Sequence, residues 1–175
     1  MLSKICEHCL LDLYATFFIT SDNQFGFKRE HSCSNAIYSI RTVIDGYIVG
    51  GSTVSLCTLA LSKAFDKINH NAVLMKLMNR QVPVNLLEII ENWFDLSCTC
   101  IEWDAHVSNF FKLVSGVRQG GAMFPCLFAI FIDDIVTKLK SLGLDCNTIL
   151  TCTSIFLYAD DIMLISPSVS MLQTM

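Results

Sequence analysis

The chain has 175 residues, of which 53% are hydrophobic and only 16% charged, a balance that excludes intrinsic disorder. Its formal net charge of −4 and pI near 5.4 argue against a self-sufficient nucleic-acid binder, which is usually basic on at least one face. The surplus of apolar residues suggests part of something larger, with faces meant for neighbours.

Residues 1–16 read as an amphipathic helix with Ile5, Cys9, Leu13 and Phe17 on its buried stripe. Ser21-Asp22-Asn23 breaks that pattern, and Gln24-Phe25-Gly26-Phe27 follows as an extended or turn segment. A second helix begins near Ser34, with Ser32 or Ser34 as its N-cap and Ile37, Ile40, Ile44 and Tyr47/Ile48 on one face. Gly50-Gly51 ends it. Thr53 to Leu61, rich in β-formers and free of charge, predicts a buried strand. Helices follow over about Asn71–Asn79 and Asn85–Trp93. Residues 97–103 and 108–114 then flank Asp104-Ala105-His106 as a hairpin. A glycine-bearing loop, Gly116 to Gly121, leads into a helix from about Pro125 to Leu139, with Pro125 suited to the first turn. Ser154–Tyr158 and Ile162–Ile165 are short apolar runs separated by Ala159-Asp160-Asp161. The order predicts an α+β fold: helices on one face of a mostly antiparallel sheet.

A mean hydropathy of +0.51 raises the membrane question. The longest uncharged stretch, Gly46 to Ser62, holds three Gly, three Ser and two Thr, and falls short of the ~20 mostly apolar residues of a spanning helix. The first residues mix Lys4, Glu7, His8 and Asp12 with apolar side chains, unlike a signal peptide, so the expectation is an intracellular protein without membrane partners. Nine cysteines are scattered along the chain. Cys6 and Cys9 bracket His8, but no second pair has matching zinc-site spacing, and the cysteines read as small buried hydrophobes in a reducing compartment.

The sharpest chemical feature is Tyr158-Ala159-Asp160-Asp161. Two adjacent carboxylates between apolar runs are costly unless something positive lies beside them, and a hard cation such as Mg²⁺ takes oxygen ligands of this kind. An ordinary acidic turn would carry the same residues. Asp133 and Asp134, adjacent on a helix, point about 100° apart and read as a solvated face.

Four segments together resemble the reverse transcriptases of non-LTR (LINE-type) retrotransposons. They are Gln24-Phe25-Gly26-Phe27, Leu61-Ser62-Lys63-Ala64-Phe65-Asp66-Lys67-Ile68-Asn69-His70, Ser115-Gly116-Val117-Arg118-Gln119-Gly120-Gly121 and Tyr158-Ala159-Asp160-Asp161, in the family's order and spacing over about residues 1–172. The resemblance implies a polymerase palm with part of the fingers: 1–52 and about 71–95 as fingers and palm helices, 53–70 and 97–172 as palm core. The N-terminal fingers and the thumb are expected to be missing, and Asn147 to Thr151 to mark a small deletion. It also implies template-directed DNA synthesis by two-metal nucleotidyl transfer, with Mg²⁺ as cofactor and RNA template, DNA primer and dNTP as partners.

Asp160 and Asp161 match the family's catalytic, metal-binding pair. Phe65 matches the aromatic under the incoming sugar, although a core Phe after a strand would read the same way. Gln119 and Gly120 match the loop that positions the nucleotide, and Arg118 is either a phosphate contact or a surface arginine. Downstream, Phe124 departs from the family's usual ending and is expected to crowd the loop. The departure that decides the expectation is Ala60. It stands where the family places a second metal-binding Asp, and its methyl can hold no cation. Asp66, six residues on, lies past the strand end. The sequence therefore predicts an inactive copy. The alternatives are a domesticated pseudoenzyme that binds nucleic acid or a protein partner, and a generic α+β domain with a weak metal turn.

Overall fold

A computed structural model describes residues 2–28, 30–117, 120–142, 147–148, 151–152 and 154–175. The elements in chain order are α1 (Leu2–Leu13), α2 (Cys33–Val49), β1 (Ser55–Ala60), α3 (His70–Asn79), α4 (Val84–Asp95), β2 (Cys98–Thr99), β3 (Glu102–Trp103), β4 (His106–Val107) and β5 (Phe111–Lys112). They continue with α5 (Met123–Ser141), β6 (Asn147–Thr148), β7 (Thr151–Cys152), β8 (Ile155–Tyr158), β9 (Asp161–Ser166) and α6 (Val169–Thr174), and short 3₁₀ turns lie at Ala15–Phe18 and Phe65–Lys67. The chain divides into two compact units, one of residues 1–18 and 63–127, the other of residues 19–62 and 128–175.

The second unit contains the main sheet, antiparallel in the order β1-β9-β8. Period-two alternation places Ile155, Leu157, Ile162 and Leu164 on one face, all buried. Helix α6 packs on β1 and β9, and α2 packs on β8. The N-cap of α2 is Ser32, which forms a capping box with Asn35. Strands β6 and β7 pair antiparallel, Asn147 with Cys152 and Thr148 with Thr151.

Two expected faces of this unit are not the buried ones. Strand β1 is an edge strand, paired only with β9 among the described residues, so Leu56 and Leu59 are nearly half exposed. An uncharged run reveals strand propensity but not whether a neighbour exists on both sides. Pair geometry fixes the outward row: the Leu61 amide bonds to the Asp160 carbonyl, so the main-chain groups of Leu56, Thr58 and Ala60 point away from β9. On α2 only Ala36 is buried, and Ile37 and Ile48 are largely exposed.

In the first unit, α3 and α4 form a helical pair that buries Val73, Leu77, Leu86, Ile90 and Phe94. The predicted 97–114 hairpin is present as two short ladders, β2 with β5 and β3 with β4, and its Trp103 and Phe110 are exposed. Helix α1 corrects its expected stripe: Ile5, Cys9 and Leu13 face outward and Glu7 is the one buried residue. Nor are the described cysteines buried; Cys6, Cys9, Cys33 and Cys98 are exposed and Cys57, Cys100 and Cys126 partly so. Helix α5 starts two residues before Pro125 because its first amides find an acceptor outside the helix, in Glu7. No helix among the described residues is long and apolar enough to cross a membrane.

Candidate functional site

Strands β8 and β9 are joined by the two-residue loop Ala159-Asp160, with Tyr158 paired to Asp161 across it. Ala159 takes φ +56, a left-handed conformation unfavourable for a residue with a Cβ, so the turn needs outside support. The support comes from the Asn23–Gly26 segment, which runs beside β8. Its main chain exchanges hydrogen bonds of 2.8 Å with Leu157, through the Asn23 carbonyl and the Phe25 amide. The buried Asn23 side chain donates to the Ile155 carbonyl at 2.8 Å, and Phe25 stacks on Phe156. Gln24, fully buried, turns its Oε1 back to accept the Gly26 amide at 2.8 Å. Gly26 has no alternative: a Cβ there would overlap the backbone nitrogen of Ala159.

Across the sheet, Ala60 pairs with Asp161. The Leu61–Asp160 hydrogen bond makes this a non-hydrogen-bonded pair, the closer kind, with Cα atoms about 4.5 Å apart and both side chains on one face. Asp160 is half-buried, and Asp161 and Ala60 are exposed. Neither carboxylate has a hydrogen-bond or ion-pair partner among the described residues. An open groove of about 420 Å³ borders the pair, lined by Ala36, Ile37 and Ile40 of α2 and by Thr58, Ala60 and Asp161 of the sheet.

Two adjacent carboxylates on a turn are hard-cation ligands. A pair of ions ~3.5–4 Å apart needs a further bridging carboxylate from a second strand, and the position on β1 that faces Asp161 carries a methyl. No group of three or more acidic, His or Cys side chains with metal-ligand geometry occurs among the described residues. The residues present thus suit weak coordination of one cation and do not fit a bridged pair.

The other site residues belong to the first unit. Phe65 is half-buried in the 3₁₀ turn, and its carbonyl accepts the Val117 amide at 2.8 Å. Asp66 lies in the same turn with its side chain exposed; its carbonyl accepts the Ser115 hydroxyl at 3.3 Å. Gly116, at φ +83, passes so close that a Cβ would lie 2.8 Å from that carbonyl oxygen. The Gly116 carbonyl in turn accepts from His70 Nε2 at 2.6 Å, while the His70 ring stacks on Phe94 at 4.1 Å. Gly120 is exposed, and Arg118 and Gln119 lie outside the described residues. Phe124 does not crowd the loop: its ring is buried against Trp93 and Phe94, in room that Gly121 leaves by lacking a side chain.

Asp133 corrects the expectation of a solvated face. It is buried and accepts hydrogen bonds from the Ser21 amide and hydroxyl, the latter at 2.6 Å, whereas Asp134 is exposed. Lys28 lies nearby and donates to the Ser21 carbonyl. Desolvation holds the Lys28 ammonium below its ordinary pKa, opposed by the charges of Asp22 and Asp133. Asp133, Glu7 and His70 are the residues sequence reasoning missed or misread. No local signal set them apart, because each helix carries other polar residues, among them Lys4, His8 and Asp12 on α1, Asn71 and Lys76 on α3, and Asp134 and Lys138 on α5.

The whole chain, residues 1–175, matches the family described as reverse transcriptase (RNA-dependent DNA polymerase). Among curated relatives, it is 24% identical over 149 residues to the RNA-directed DNA polymerase from mobile element jockey of Drosophila melanogaster, covering 85% of this chain and 16% of that protein. It is 28% identical over 116 residues to the Pol polyprotein from type-1 retrotransposable element R2 of Popillia japonica, covering 66% of this chain and 19% of that protein. The chain therefore spans less than a fifth of the length of these relatives. Among solved structures, apo telomerase of Candida tropicalis superposes with a TM-score of 0.71 at 14% identity, over 98% of this chain and 35% of that one. Telomerase of Candida albicans in complex with a fragment of telomeric RNA does so with a TM-score of 0.66 at 13% identity, over 99% and 31%. A fold shared with these structures, a full-length family match and relatives from two non-LTR elements lead to one conclusion: this chain belongs to the reverse transcriptase family, as part of a LINE-type retrotransposon reverse transcriptase.

Proposed function

We propose that this chain is a reverse-transcriptase palm that keeps parts of the nucleotide-handling framework and has lost nucleotidyl transfer. What carries the reading is the pairing of Ala60 with Asp161. The family's two-metal chemistry needs carboxylates from both strands at this point, and here one strand offers a methyl. Losing an outer-sphere partner of a metal already costs ~10–100-fold, and a bridging ligand should cost more.

The remaining residues are assigned by the resemblance. Phe65 underlies the incoming sugar and excludes a ribose 2′-hydroxyl by bulk. Gly120, with Gln119 and Arg118, lets the loop approach the nucleotide and template. Asp160 and Asp161 would hold a single Mg²⁺ weakly; a bound ion supplies charge neutralisation for phosphate oxygens. RNA template, DNA primer and dNTP are the ligands in this reading.

Primer extension on an RNA template with Mg²⁺ or Mn²⁺ tests the proposal. The unaltered chain is expected to add no nucleotides. Template-dependent, metal-dependent synthesis by the unaltered chain would overturn it.

A further inference from the structure

We propose that Glu7 is a positioning residue for the nucleotide-binding loop, fixing the loop's end through the main-chain amides of Ala122 and Met123. This rests on the reading that the loop beyond Gly116 meets the incoming nucleotide.

Helix α1 is organised around a carboxylate rather than around apolar burial. Glu7 is 2% exposed, while Ile5 is 58% and Leu13 73% exposed on the same helix. Burying a carboxylate is costly unless donors replace its water. Here they do. Oε2 accepts from the Ala122 amide and, at 3.0 Å, from the Met123 amide, and Oε1 accepts from the Ser3 hydroxyl at 3.1 Å. Ala122, directly before α5, has no side-chain acceptor of its own, so the first amides of that helix are capped from α1. The negative charge also lies at the positive end of the α5 dipole.

Gly121 shows how tightly this end of the loop is drawn in: a Cβ there would lie 2.8 Å from Glu7 Oε2 and 2.7 Å from the Phe124 ring. The other end is held just as firmly. Gly116 is fixed by His70 and by its own amide, which donates to the Ile68 carbonyl, and Val117 by the Phe65 carbonyl. The described ends of the loop, Gly116–Val117 on one side and Gly121–Ala122 on the other, are thus each anchored. Glu7 supplies the anchor that depends on a single side chain contributed from the far end of the sequence. Fixing the end of a binding loop in advance lowers the ordering cost of a ligand that meets it, which is where a positioning residue gains affinity.

The test uses the full chain, with dTTP and Mg²⁺ as the probe, measured by titration calorimetry and by amide hydrogen exchange over residues 120–124. Glu7→Ala should weaken dTTP binding about tenfold, since small misplacements of a binding group are costly, and should speed exchange at Ala122 and Met123. Glu7→Gln keeps a carbonyl acceptor of the same shape and should fall between, about threefold weaker with the same local speeding. Leu10→Ala, half-buried on the same helix and not among the groups that hydrogen-bond the loop, should lower stability and leave affinity unchanged. Unaltered affinity in both Glu7 variants, or an equal loss in Leu10→Ala, overturns the positioning role alone. Absence of dTTP binding by the unaltered chain overturns the nucleotide reading of the loop, and this inference with it.

Discussion

The buttress behind the Asp160–Asp161 turn and the surface in front of it obey different physics. Behind the turn, Asn23 is hydrogen-bonded to β8, Gln24 accepts the Gly26 amide, and Gly26 is packed against Ala159, so changes to these residues should disturb folding. In front, Ala60 is exposed on the edge strand, beside the open groove. A change of side chain there should alter stability less than a change in the buttress. The same holds in the first unit, where Glu7 and His70 are bonded into the loop's supports while Gly120 is exposed. A fold of this kind can keep the scaffold of a reaction long after one of its reacting groups is gone, because only the scaffold contributes to its stability.

The largest effect that would sharpen this contrast is expected from Gly26→Val. Its side chain would be driven into the Ala159 backbone and should cost about 3 kcal/mol in chemical denaturation. A loss below about 0.5 kcal/mol would mean the buttress is not what holds the turn. Ala60→Asp, on the exposed side, should be milder and should change sign with metal. Without divalent ions a third carboxylate opposite Asp161 should cost up to about 1 kcal/mol. With Mg²⁺ at ten times its Kd the same variant should gain about 1.4 kcal/mol, while the unaltered chain responds little. Identical thermal shifts for the two proteins would place the missing ligand elsewhere.

The smallest effect concerns Lys28. Burial lowers its pKa in the folded state below the ordinary 10.5, so the unfolded chain binds its proton more tightly. Its contribution is unfavourable below the folded pKa and is relieved as pH rises toward 10.5. Stability measured against Lys28→Met across that window should therefore rise with pH for the unaltered chain. A fall would mean that the charges of Asp22 and Asp133 outweigh desolvation.

The hairpin was legible because β-formers flank the two aspartates, and Ala60 because the family resemblance sets it where a metal-binding Asp is expected. The α2 cap and the 97–114 hairpin were equally local matters. What could not be read was anything that depends on a distant partner. Glu7 looked like one charge on an amphipathic helix until Ala122 and Met123, more than a hundred residues away, appeared as its donors. Asp133 looked solvated for want of Ser21, and β1 looked buried because its composition says nothing of how many strands flank it.

The outer rim of β1 has a practical consequence. Leu56, Thr58 and Ala60 turn outward main-chain donors and acceptors that no strand pairs among the described residues, from a stretch with neither proline nor charge to discourage a visiting strand. At high concentration such a rim recruits extended polypeptide indiscriminately, so yield in solution will be governed by aggregation before it is governed by thermal unfolding. A lysine at Thr58, the usual natural guard of such rims, is the simplest way to keep the protein dispersed.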